Sequence, residues 1–93
     1  MNIRQDKSSE KFYVEMDEQE AVLQYRISDN KMECYHTYVP KSMRGQGIAG
    51  KLAKKAFEFA IEKNLKIIPT CSFINSFARR KDEYKAITIF EKG

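Results

Sequence analysis

The fold is decided by one stretch of the sequence, Val39-Pro40-Lys41-Ser42-Met43-Arg44-Gly45-Gln46-Gly47-Ile48-Ala49-Gly50. A β-rich run stops at Pro40, the glycines allow a tight turn, and a helical pattern begins at Ile48. The first amides of a helix have no partner within the helix, and together with the helix dipole they favour an anion such as phosphate. The stretch therefore predicts an anion-binding turn between a strand and a helix.

The residues after this turn predict the second half of the fold. A helix is expected from Ile48 to Lys63, with Asn64 at its end, because apolar residues recur there with the helical period. Its apolar face is formed by Ile48, Leu52, Ala56, Phe59 and Ala60. The next apolar run, residues 65–71, predicts a strand parallel to the one before the turn. Pro69 interrupts this run and is expected where the two strands part.

The residues before the turn predict an antiparallel meander. Three β-rich runs, 11–16, 21–27 and 31–39, are separated by polar turns. Alternation along the third run predicts that Met32, Cys34, His36 and Tyr38 share one face of the sheet. A short helix at residues 72–81 and a last strand at 86–90 complete the pattern.

These elements predict an α/β fold in α+β order within a single domain, residues 1–93, whose core spans about 11–88. It combines the antiparallel meander with one βαβ crossover, in which the two parallel strands splay apart, and a short C-terminal helix.

Composition limits the function. Residues 1–40 hold 5 Lys/Arg and 8 Asp/Glu, whereas residues 41–93 hold 12 and 5, which favours an anionic ligand in the second half. A solvated basic face or a small basic nucleic-acid-binding domain would show the same charge, but no nucleic-acid-binding motif is present. One His and two Cys predict no metal site and reduced thiols. A polar start and no long apolar run predict a cytoplasmic protein without a membrane span.

The glycine spacing also admits a dinucleotide-binding loop. Gly45-x-Gly47-x-x-Gly50 matches the letters of that motif. However, a dinucleotide-binding domain places the loop after its first strand and needs several further βαβ units. Three strands before the loop and 43 residues after Gly50 do not fit that arrangement.

The loop resembles the acyl-coenzyme A loop of the GNAT superfamily of N-acetyltransferases. That loop reads Gln/Arg-x-x-Gly-x-Gly/Ala, and here it is Arg44-Gly45-Gln46-Gly47-Ile48-Ala49. A subfamily of small single domains is more similar still. It shares His36-Thr37-Tyr38-Val39-Pro40, Cys71-Ser72-Phe73 and Asp82-Glu83-Tyr84, so the resemblance covers about residues 11–88.

The resemblance implies that acetyl-coenzyme A binds with its pyrophosphate at the loop and its pantetheine beside Tyr38 and Val39. The implied coenzyme A-binding residues are Tyr38, Val39, Arg44, Gly45, Gln46, Gly47, Ile48, Ala49, Gly50 and Asn75. Further candidates for its phosphates are Lys41, Lys51, Lys54, Arg79, Arg80 and Lys81, although each is equally compatible with a solvated surface.

Two residues are candidates for catalysis. The resemblance implies a role for Cys71, either as a thiolate that carries the acetyl group or as a thiol that lines the pocket. His36 is the single imidazole and is either a general base or a structural residue of the sheet. Cys34 is expected in the core. In the usual route of this superfamily, the amine attacks the thioester directly. The Val39 amide, at the end of its strand, is the expected donor to the developing oxyanion.

The acceptor stays open at this point. We expect an N-acyltransferase that acts on an unknown amine, either a small molecule or a lysine or N-terminus of a protein. The helical insertion after the first strand and most of the C-terminal arm, which usually shape the acceptor site, are not recognisable. A non-catalytic acyl-coenzyme A sensor is therefore the alternative. The expected state is a monomer or a weak dimer.

Overall fold

A computed structural model describes residues 2–90 as one five-stranded sheet with three helices, which confirms the expected fold class. The strands are β1 (Arg4–Asp6), β2 (Lys11–Met16), β3 (Gln19–Ser28), β4 (Lys31–Tyr38) and β5 (Lys66–Ile68). Their order in the sheet is the order in the chain; the first four are antiparallel, and β5 runs parallel to β4. Strand β1 was not expected, because its three residues are polar.

The helices follow β4. A 3₁₀ turn spans Lys41–Met43, and the helices are α1 (Ile48–Glu62), α2 (Ser72–Ala78) and α3 (Asp82–Ala86). Helix α1 is the predicted crossover between β4 and β5, and it ends before Asn64, whose φ of 58° is left-handed. The strand expected at 86–90 is reduced to a single parallel bridge between Ile67 and Thr88, because α3 takes up Ala86.

Helix α1 packs on the sheet through small and aromatic residues. Ala53, Ala56 and Ala60 are fully buried, and their small side chains allow the helix to approach the strands closely. Phe57 is also fully buried and stacks on Tyr84 of α3 at 4.7 Å between ring centroids. Phe59, which the helical period placed on the buried face, is half-buried instead.

A β-bulge in β4 corrects the expected alternation. Gln24 of β3 pairs with His36, whereas the next residue, Tyr25, pairs with Cys34, so that Tyr35 is an extra residue. The extra residue inverts the alternation, and the prediction that His36 and Tyr38 share a face with Cys34 was wrong. Cys34 lies in the core, whereas His36 and Tyr38 are exposed.

Strands β4 and β5 stay together for only three residue pairs. The last pair is Glu33 with Ile68, and Pro69 follows directly, as expected for the point where the strands part. One further backbone hydrogen bond, from the Cys71 amide to the Cys34 carbonyl at 3.0 Å, joins β4 to the segment that follows β5. Beyond it, β4 continues to Tyr38 with no strand of residues 2–90 on that side. We call this open corner the β4–β5 gap.

Candidate functional site

The glycine turn has a backbone that requires glycine and leaves free space beside it. Gly45 has a φ of 84° and Gly47 a φ of 70°, both in the left-handed region that side chains disfavour. A Cβ atom built on either glycine would meet no atom within 4 Å. The buried side chain of Met43 anchors the turn from below. A ligand can therefore approach the backbone at both glycines without displacing protein atoms.

The turn leads into the N-terminus of α1, which is suited to an anion. The Lys51 amide donates to the Gly47 carbonyl at 3.1 Å, whereas the backbone amides of Ile48, Ala49 and Gly50 find no backbone acceptor within residues 2–90. The first turn contains no acidic residue that would compete for these amides. Arg44 is held beside them, because its Nε donates to the Val39 carbonyl at 3.0 Å.

Two adjoining clefts extend from this turn. The first, of about 330 Å³, is the loop cleft, and it lies between the end of β4, the turn and α2. Its lining includes Val39, Met43, Arg44, Gly45, Gly47, Ile48, Ala49, Gly50, Phe73 and Arg80. The second, of about 350 Å³, is the cation cleft, and its lining comprises Gly47, Gly50, Lys51, Lys54, Phe77, Arg80, Lys81 and Tyr84. The shared residues make the two clefts one continuous trough.

The positive side chains of this trough sit on an aromatic surface. Arg80 lies over the Phe77 ring at 4.9 Å and Lys81 over the Tyr84 ring at 5.4 Å, measured to the ring centroids. These contacts hold the two cations at the rim of the cation cleft. Arg79 faces elsewhere, over the Phe90 ring at 4.2 Å, and does not line the trough. Of the predicted phosphate candidates, the trough therefore brings together Lys51, Lys54, Arg80 and Lys81.

Cys71 and His36 are placed on different sides of the sheet. Cys71 is half-buried at the β4–β5 gap, and its thiol donates to Thr37 Oγ1 at 3.6 Å. Thr37 pairs with Leu23 in the buried layer, whereas His36 pairs with Gln24 on the opposite face. Adjacent residues of a strand point to opposite faces. The neighbour of the Cys71 thiol is therefore a hydroxyl that sequence reasoning missed, because the bulge at Tyr35 has no signal in the sequence.

The other residues singled out in the sequence lie outside the trough or at its margin. Gln46 is exposed at the tip of the turn. Asn75 lines neither cleft of the trough; its Oδ1 accepts a hydrogen bond from Arg79 Nε at 3.2 Å, and its side chain faces a different cleft. Cys34 lies in the core as expected, and burial raises the pKa of its thiol to about 12. Phe73 is half-buried against the core and also lines the loop cleft.

The described residues were also compared with the requirements of a membrane span and of a metal site. In the part of the chain that the structure describes, no helix has the length and apolar character that a membrane crossing requires. Within the same residues, no group of three His, Cys, Asp or Glu side chains is placed to hold a metal ion.

Comparison with known proteins relates these features to a family. Residues 11–87 match the family model described as GCN5-related N-acetyltransferase. Protein NATD1 of Xenopus tropicalis is 34% identical over 82 residues, which are 85% of this chain and 75% of that protein. Protein NATD1 of Homo sapiens is 33% identical over 82 residues, which are 85% of this chain and 73% of that protein.

A solved structure is similar throughout. The solution structure of a GCN5-like protein from Staphylococcus aureus, described as a candidate N-acetyltransferase, superposes with a TM-score of 0.76. The two proteins are 36% identical, and the match covers 98% of this chain and 90% of the other.

Proposed function

The chain belongs to the family of GCN5-related N-acetyltransferases, and from this membership we propose that it binds acetyl-coenzyme A and transfers the acetyl group to an amine. The proposed domain spans residues 1–93, with its core at about 11–88. The observation that carries the proposal is the glycine turn. It offers free space beside two left-handed glycines, the unpaired amides of α1 and no competing acid.

The coenzyme fits the trough in a defined direction. Its pyrophosphate accepts hydrogen bonds from the amides of residues 48–50, with Arg44 beside them. Its remaining phosphate, on the ribose of the nucleotide, lies toward the cations of the cation cleft. Its pantetheine follows the open edge of β4 at Tyr38 and Val39, where its amides pair with the backbone as an added strand would. This direction brings the thioester to the β4–β5 gap.

The transfer consists of one substitution at the thioester. The nitrogen lone pair of the amine attacks the acetyl carbonyl carbon, and the C–N bond forms as the C–S bond breaks. The proton lost by the amine balances the thiolate, so that the products are the N-acetyl amine and coenzyme A thiol. The Val39 amide is the proposed donor to the oxyanion that develops on the carbonyl.

Direct attack is supported over an acetyl-cysteine intermediate by the surroundings of Cys71. An acyl-carrying thiol needs a base that takes its proton as well as groups that stabilise the thiolate. The N-terminus of α2, where Cys71 is the N-cap residue, can stabilise a thiolate but takes up no proton. The side chain that is hydrogen-bonded to the Cys71 thiol is that of Thr37, and the bulge turns His36 toward the other face of the sheet. We therefore assign Cys71 to the lining of the thioester site, and His36 to the face from which an amine would arrive.

Titration of the ¹⁵N-labelled protein with coenzyme A tests the binding step. We expect amide shifts concentrated in residues 38–50 and 71–80. Shifts confined to residues 11–30, or none at millimolar coenzyme A, would contradict the proposal. Free-thiol release from acetyl-coenzyme A in the presence of a panel of amines tests the transfer step. If coenzyme A binds but no amine of the panel causes thiol release, the protein is an acyl-coenzyme A-binding protein and catalysis is refuted.

A further inference from the structure

A third cleft lies on the other side of α2 from the glycine turn. We call it the α2 cleft; it encloses about 490 Å³. Its lining comprises Ile68, Pro69, Thr70, Ser72, Asn75, Ser76 and Ile89. Helix α2 is the wall between two clefts, because Phe73 lines the loop cleft whereas Ser72, Asn75 and Ser76 line this one. The volume is in the range of clefts that hold small molecules.

The α2 cleft reaches the β4–β5 gap. Thr70 and Ser72, which flank Cys71 in the chain, both line it, and so does Pro69, where the strands part. In the proposed reaction, the coenzyme fills the loop cleft and the thioester lies at the gap. An amine has to reach the carbonyl carbon to within about 3–3.5 Å from a side that the coenzyme leaves free. The α2 cleft is such a side.

We propose that the α2 cleft is the acceptor subsite, and that it takes a primary amine with a neighbouring uncharged carbonyl group and an apolar side chain. This inference rests on the proposed acetyl transfer. The same chemistry is offered by an amino acid amide and by the N-terminal residue of a polypeptide.

The polar groups of the cleft have fixed hydrogen-bonding directions. Thr70 Oγ1 donates to Glu33 Oε2 at 2.6 Å, so its lone pairs remain to accept an N–H of the amine. Asn75 Oδ1 accepts from Arg79 Nε at 3.2 Å, so its amide nitrogen remains to donate to a carbonyl oxygen. The cleft thus offers an acceptor near the gap and a donor along α2. An amine with a neighbouring carbonyl matches this pair.

The rest of the lining selects against charge. Ile68, Pro69 and Ile89 provide an apolar side, and Ile89 is held in place by its amide, which donates to the Ile67 carbonyl at 2.8 Å. No charged side chain belongs to the lining, as far as residues 2–90 describe it. Glu33 behind Thr70 is also paired with Arg26, whose Nε lies 3.2 Å from it. The charged groups next to the lining are already paired, Glu33 with Thr70 and Arg26, and Arg79 with Asn75, so a further charge on the acceptor would lose hydration for little gain.

The test uses L-leucinamide as the probe and the full chain as the protein. We expect leucinamide to shift the amides of Thr70, Ser72, Asn75 and Ser76 in the coenzyme A-loaded protein. Ser76→Leu fills the cleft from an exposed helix position, where leucine is well tolerated. It should weaken leucinamide binding at least tenfold. The matched control is Ser9→Leu, which changes an exposed serine near β1 at the opposite edge of the sheet. This control should leave the affinity for leucinamide unchanged.

Four outcomes separate this inference from the proposed function. Normal coenzyme A affinity together with absent leucinamide shifts, or equal leucinamide affinity in the two leucine variants, overturns the acceptor subsite alone. Spermidine or free leucine binding more tightly than leucinamide overturns the acceptor class. Loss of coenzyme A binding in the unmodified protein overturns the proposed function. Acetylation of leucinamide but not of a leucine-initiated tripeptide identifies the small molecule as the source, and the reverse identifies the polypeptide.

Discussion

Replacing Gly47 with alanine separates recognition by the backbone from charge attraction. The substitution places a methyl group in the free space beside a backbone with a φ of 70°. The left-handed conformation costs an L-residue about 1–2 kcal/mol, and each kcal/mol lowers the Tm of a domain of this size by roughly 4–8 °C. If the methyl group displaces the pyrophosphate from two amides, the loss is about 3 kcal/mol, or about 100-fold in Kd.

Two variants serve as controls for this experiment. Lys54→Ala removes one exposed cation of the trough and should weaken coenzyme A binding by at most about 1 kcal/mol, less at high salt. Asn30→Ala imposes alanine on another left-handed residue, with a φ of 60°, in the hairpin between β3 and β4. It should lower Tm and leave Kd unchanged. Calorimetric titration with coenzyme A gives the Kd of each of the three variants. An equal increase in Kd for Gly47→Ala and Lys54→Ala would refute the reasoning.

Three further predictions follow from the same structure. Gly50→Ala should raise Tm by about 3–6 °C, because a helical glycine costs roughly 0.5–1 kcal/mol against alanine, and its Cβ would lie an ordinary 3.8 Å from Phe77; a lower Tm in a thermal melt would contradict this packing. Cys71→Ala should keep most of the thiol-release activity, with no acetyl adduct on wild-type Cys71 by mass spectrometry; an adduct on Cys71 together with an inactive variant would establish the intermediate. Burial raises the pKa of Cys34 from 9.0 to about 12, so stability should be full below pH 9, where both states hold the proton, and should fall toward pH 12 by up to about 1.4 kcal/mol per pH unit; denaturant melts of Cys34→Ala should lack this component.

The crossover and the meander could be predicted from sequence because each depends on a local pattern. The helical period from Ile48 onward and the glycines of the turn specify α1 and its start. Strand β1 and helix α3 could not be predicted. The residues of β1 are polar and become a strand only because β2 offers them an edge. At residues 86–90 the β-rich letters compete with Asp82 and Glu83, which stabilise the first turn of α3.

In the candidate site, the glycine turn could be predicted from the sequence, whereas the neighbour of the Cys71 thiol could not. The turn, with Arg44, Gly45 and Gly47, is contiguous in the chain, so its place at the start of α1 could be read from the sequence. The relation between Cys71 and its neighbour depends on which face of β4 is turned inward. That face is set by one extra residue, Tyr35, whose accommodation depends on pairing with β3. The hydroxyl of Thr37, and not the imidazole of His36, therefore lies beside the thiol.

The sheet order, identical to the chain order, has a consequence for how the molecule assembles and opens. The meander closes through short hairpins, which form within microseconds. The β4–β5 pair can form only after the crossover has brought β5 beside β4, and it is held by three residue pairs and by the hydrogen bond from the Cys71 amide to the Cys34 carbonyl. We therefore expect the β4–β5 pair to form last and to separate first. A ligand that spans it joins the meander to the C-terminal half, so binding should slow hydrogen exchange at Ile67 and Ile89 more than within β2 and β3.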